Sequence, residues 1–129
     1  MKIKCLFITA IFSIVFASIS CSSTPKEIPE ELTAQELIQK GQAEFENGRY
    51  KNALRYYNAV TERYADTPAV YAEASYEIGH LFMKQKKYDE AERVLKDLVD
   101  LYAQSEPGSM PGAYQKLAQL ELDKINKKK

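Results

Sequence analysis

The 129-residue chain has no tryptophan, one histidine and two cysteines, and its 18 Lys and Arg are balanced by 18 Asp and Glu. Without an excess of positive charge it lacks the electrostatic footprint of a nucleic-acid binder. Five Gly and five Pro exclude collagen-like and low-complexity chains. His80 stands without a second His, a nucleophile elbow, a phosphate-binding loop or a metal-ligand spacing, so neither an enzyme nor a cofactor or metal is expected. Carboxylate pairs such as Glu44 with Glu46, and Asp89-Glu90, fit solvated helix faces, where adjacent residues point in different directions. The length bounds the chain at one ordinary domain.

What is present divides into two unlike pieces. Hydrophobic residues are 45% of the chain, and they are densest between Met1 and Ser20. Met1 to Ser20 has the cationic start (Lys2, Lys4), apolar stretch (Cys5 to Ala17) and small-residue exit of a secretory signal. That apolar stretch reaches about 20 Å as a helix, short of the roughly 30 Å hydrocarbon core of a bilayer. Setting aside Lys2 and Lys4 leaves the remainder with a net charge of −2.

Ala17-Ser18-Ile19-Ser20-Cys21 resembles the lipobox of bacterial prolipoproteins, with Ser18 where Leu is usual. The resemblance implies cleavage before Cys21, lipidation of Cys21 and a membrane anchor, and Ser22 in place of Asp implies sorting to the outer membrane. Residues 21–31, with Pro25 and Pro29, are expected to be a tether spanning under about 20 Å. The body is expected over 32–126, followed by a basic tail at 127–129. Lys124 and the tail lysines are expected in solvent or against anionic headgroups.

Self-comparison organises the body. Gly41, Gly48-Arg49-Tyr50, Ala53, Tyr57, Val60 and Tyr64 recur, in the same order and at one constant interval, as Gly79, Lys86-Lys87-Tyr88, Ala91, Leu95, Leu98 and Tyr102. Within each unit the spacing returns to one helix face at 3.6 residues per turn. Thr33 and Glu36 have the form of a capping box, Asn47-Gly48 reads as a stop, and Thr67-Pro68 as a helix start with Thr67 as cap. Gln104 to Gly112 is a loop. Beyond it Ala113, Tyr114, Leu117, Ala118, Leu122 and Ile125 mark a fifth helix, whose Leu117-Ala118 pair matches Ile78-Gly79 with the interval one position longer.

Residues 37 to 102 resemble two tetratricopeptide repeats of the type found in envelope lipoproteins. The predicted fold is all-α: a TPR-like solenoid of two helix-turn-helix repeats plus a C-terminal capping helix. Lys40 and Glu44 depart from the pattern at normally apolar positions, which reads as an N-terminal end effect. In this family the first helix of each pair lines the concave surface. Carried over, that places Gln35, Ile38, Gln42 and Phe45 on one wall, Tyr76, His80, Met83 and Lys84 on the next, and Gln115, Gln119 and Leu122 beyond. Ile38, Phe45 and Met83 also suit a core. The mixture of amide, aromatic and thioether groups with few charges suits a peptide or helix as ligand.

The leading reading is a lipid-anchored periplasmic scaffold that binds another envelope protein. The resemblance implies kinship with accessory lipoproteins of outer-membrane barrel assembly or Tol-Pal-type machinery, which are longer. Two other readings stand beside it: a binding protein for a small apolar or peptidic ligand serving a transporter, and a structural homo-oligomer. Two and a half repeats are near the minimum for a stable solenoid, so the fifth helix is expected to be a cap, with self-association through an uncovered face as the alternative.

Overall fold

The computed structural model describes residues 27–128, which fold into five helices: α1 Ala34–Glu46, α2 Tyr50–Arg63, α3 Pro68–Lys84, α4 Tyr88–Gln104 and α5 Gly112–Asn126. The stretch expected to be a signal segment and Cys21 lie outside the described residues. No strand occurs among the described residues, and none of their helices is long and apolar enough to cross a membrane. Each helix packs on the next, and α3 also touches both α1 and α5. The molecule is an all-α, solenoid-like stack.

Local chemistry fixes the helix ends. The Thr33 side chain accepts from Glu36 N at 3.3 Å while Glu36 Oε2 accepts from Thr33 N at 2.9 Å, closing the expected capping box. At α3, Pro68 occupies the first turn, but the Thr67 side chain makes no capping hydrogen bond, so the start rests on proline's fixed φ. Gly48 ends the first turn with φ 71°, and Lys86, its counterpart in the second repeat, adopts φ 60° without being glycine.

Burial explains the stack. In each repeat a glycine lets the second helix press a large side chain against the first: a Cβ at Gly41 would overlap the Tyr57 ring, and one at Gly79 would overlap Leu95. Tyr57 and Leu95 are both fully buried, and burying a side chain of this size stabilises by about 1.5–3 kcal/mol. A second cluster, built on Leu95, Leu98, Ala118, Leu122 and Ile125, glues α5 to α4 and takes in Met110 from the connecting loop.

The segment expected to be a free tether is partly docked. Arg63 donates to the carbonyls of Pro29 (2.7 Å) and Ile28 (2.9 Å), and the Tyr64 hydroxyl donates to Leu32 O at 2.9 Å. Ile28 and Leu32 pack on the cluster of Leu37, Ile38, Ala59, Val60 and Ala74. The basic end is also partly held. Lys128 donates to the Tyr88 hydroxyl at 2.9 Å with its ammonium 4.8 Å from the ring centroid, and Lys124 pairs with Glu121 at 3.1 Å.

Lys40 is exposed, as the expected end effect has it, but Glu44 departs from it in one respect. Glu44 is not an idle surface charge: it forms a two-pronged pair with Arg49, 2.7 Å on each arm, and accepts from Asn52 at 2.9 Å. It therefore clasps the turn between α1 and α2.

Candidate functional site: a groove floored by an aromatic ladder

The three odd-numbered helices present their inward faces to one another, and four rings cross them. Phe45 of α1 lies 5.6 Å from His80 of α3; His80 stacks on Tyr76 at 5.9 Å and 20°; Tyr76 lies 5.9 Å from Tyr114 of α5. On a helix, Tyr76 and His80 share a face because they are one turn apart. Phe45 also meets Tyr50 edge to face at 5.5 Å. Contacts of this kind add about 0.5–1.5 kcal/mol each beyond area burial. Phe45, Tyr76 and His80 of the ladder line a groove of about 440 Å³ together with Gln42, Glu46 and Glu77.

The polar groups are mostly acidic. Gln42 Nε2 donates to Glu77 Oε1 at 3.5 Å, a long bond, and burial pushes the Glu77 carboxyl above the ordinary carboxylate range. Glu121 is only 6% exposed and stands 3.4 Å from His80 Nδ1, yet the angle does not make a hydrogen bond and Nδ1 has no hydrogen-bond partner. Burial raises the Tyr76 hydroxyl, with Glu121 and Glu77 adding to it. Tyr114 is pushed up to about 12, first by burial and then by the charge of Glu73 and a hydrogen bond to it. Both phenols are therefore neutral donors at physiological pH. Among the described residues no group of His, Cys, Asp and Glu could hold a metal ion.

Of the residues expected on the inner face, the structure brings four together: Gln42, Phe45, Tyr76 and His80. Ile38 and Leu122 are corrections. Ile38 is 1% exposed beneath the docked Ile28–Leu32 segment, and Leu122 is 7% exposed against α4, so both are core. Met83 is half-buried against the α4–α5 core. Gln35, Lys84, Gln115 and Gln119 are exposed and do not line the groove; Gln119 donates to Asp123 at 3.1 Å. The expectation of few charges also fails, because Glu46, Glu73, Glu77 and Glu121 surround the ladder.

A tetratricopeptide-repeat family model matches residues 38–106, more than half of the chain. The chain belongs to the tetratricopeptide repeat family. Such repeats are protein-interaction scaffolds. This tetratricopeptide-repeat protein is 29% identical over 113 residues to an uncharacterised protein of Treponema pallidum (strain Nichols), covering 86% of the chain and 45% of that protein. It is 40% identical over 63 residues to the outer membrane protein assembly factor BamD of Haemophilus influenzae, covering 49% of the chain and 22% of that protein. The chain thus spans less than half the length of these curated relatives. No solved structure matches it.

The missed residues of the repeat groove were within reach of the sequence. Glu73 is the second-repeat counterpart of Gln35, and Glu77 is one helical turn from both Glu73 and His80, so the spacing that selected Tyr76 and His80 reaches them too. Tyr114 carried no such signal, because its repeat equivalents, Leu37 and Ser75, are not aromatic.

Proposed function

We propose that this chain is a lipid-anchored scaffold on the periplasmic face of the outer membrane, and that its inner groove binds a segment of another envelope protein. The observation that carries the binding role is the ladder of Phe45, His80, Tyr76 and Tyr114, which spans three helices and of which Phe45, His80 and Tyr76 line a groove. Aromatic faces beside neutral phenol donors supply apolar contact and hydrogen bonds to a peptide at once. The envelope setting draws its support from the lipobox-like sequence ending in Cys21 and from the likeness to an outer membrane protein assembly factor. In this reading the docked Ile28–Leu32 segment shortens the free tether and holds the first repeat close to the membrane surface.

A double substitution, Tyr76→Ala with His80→Ala, tests the groove. Helical circular dichroism is expected to persist while capture of the envelope partner is lost; undiminished capture contradicts the reading. Cys21→Ser tests the anchor, with the protein expected to leave the membrane fraction and the anchor refuted if it stays.

A second reading, self-association, has its own observation. Leu117 and Leu120 of α5 are 38% and 47% exposed, whereas Ile78 and Leu81, at the corresponding places of α3, are 8% and 0% exposed. A second copy covering α5 would appear as a dimer in light scattering, abolished by Leu120→Lys; a monomer at all concentrations removes this reading.

A further inference from the structure

The Tyr57 hydroxyl has no hydrogen-bond partner although its side chain is fully buried. A buried unpaired hydroxyl is a standing cost, and phenylalanine would fill the same space without it. The ring runs beneath Gly41, with Cζ 3.0 Å from where a Cβ would sit. Burial raises this hydroxyl, and the charges of Glu77, Glu46 and Glu73 raise it further. Glu77 and Glu46 line the groove beside the stacked rings of Tyr76 and His80.

Resting on the groove reading above, we propose that the occupant is a cationic segment: a partner's Lys or Arg laid on the Tyr76–His80 stack and neutralised by Glu77 and Glu46. Two features meet in that occupant. Phenol faces attract cations through the ring quadrupole. A half-buried Glu77, held by one long amide bond, gains from an incoming positive charge. Lys124 already pairs with Glu121, whereas the groove that Glu46 and Glu77 line has no Lys or Arg in its wall. An anionic segment would meet these two carboxylates without compensation.

Full-length protein in non-ionic detergent can be titrated with three fluorescein-labelled peptides of equal length that share one Leu/Gln scaffold and carry two Arg, two citrulline or two Glu at its centre. The Arg peptide is expected to bind about five-fold more tightly than the citrulline peptide, and the Glu peptide most weakly. Glu77→Gln should cut the Arg preference below about two-fold. Equal binding of Arg and citrulline peptides, both weakened by Tyr76→Ala, overturns the cationic occupant and leaves the groove standing. Binding unaffected by Tyr76→Ala, or no saturable binding of the Arg peptide, overturns both.

Discussion

The two repeats solve the same packing problem with different chemistry. Where repeat one has Glu44 clasping Arg49, repeat two has, at the equivalent places, Phe82 with the Lys87 ammonium 5.9 Å from its ring. Where repeat one presses Tyr57 against Gly41, repeat two presses Leu95 against Gly79. Repeat two shows that a leucine satisfies the packing. The tyrosine hydroxyl of repeat one is thus surplus to the core, and it has no hydrogen-bond partner there. Repeat one also lacks a preceding repeat, and its exposed turn accommodates an ion pair where repeat two uses an apolar ring.

The largest test of this parallel is truncation. Tyr57→Ala and Leu95→Ala should destabilise by about 3–5 and about 2–5 kcal/mol respectively in denaturant titrations, because each opens a cavity under its glycine. Similar losses would affirm equivalent roles; a loss under about 1 kcal/mol at either position would break the parallel. Gly79→Ala comes next, at about 1–3 kcal/mol, since the added Cβ meets Leu95 near its branch point, at Cγ 2.7 Å away. Lys86→Gly should stabilise by about 1 kcal/mol, because Lys86 holds a left-handed φ of 60° that Gly48 adopts freely. A neutral result would mean that the Lys86 side chain offsets its own strain.

The smallest effects separate two carboxylates by sign. Hydrogen bonds from Arg49 and Asn52 hold the Glu44 carboxyl at about 2, below its ordinary 4.5. Its contribution is present above pH 4.5 and is lost as the pH falls toward about 2. Arg49→Ala should flatten that part of the stability–pH curve. Burial raises Glu77 instead, so the folded state favours its protonated form and stability falls as the pH rises through the raised value. Glu77→Gln should therefore melt slightly higher than the parent at neutral pH, and a lower melting temperature would mean that the Gln42 bond outweighs burial.

Most of the fold was legible because its determinants are local and periodic. The capping box at Thr33, the glycines at 41 and 79, and the constant interval that carries Tyr50 onto Tyr88 mark every helix of the two repeats. The groove was only half legible. Gln42, Phe45, Tyr76 and His80 follow from helix phase, but Ile38 occupies the same phase as Tyr76 and is buried, because residues 28–32 fold back over it through Arg63 and Tyr64. No periodic pattern announces that docking, which depends on backbone carbonyls meeting a guanidinium. Leu122 failed for a related reason: no later helix packs on α5 among the described residues, so its buried apolar residues serve the core shared with α4. The aromatic ladder required three helices to be placed before its rings could be seen to touch.

The central claim is that partners meet the face shared by α1, α3 and α5. Another groove, of about 450 Å³ and lined by residues such as Asn58, Tyr71 and Arg93, lies on the side of α2 and α4. A photo-crosslinking amino acid placed singly at positions 45, 76, 58 and 93 of the membrane-bound protein compares the two directly. Adducts to an envelope protein from positions 45 and 76, with none from 58 and 93, are the predicted result; adducts confined to 58 and 93 would contradict it.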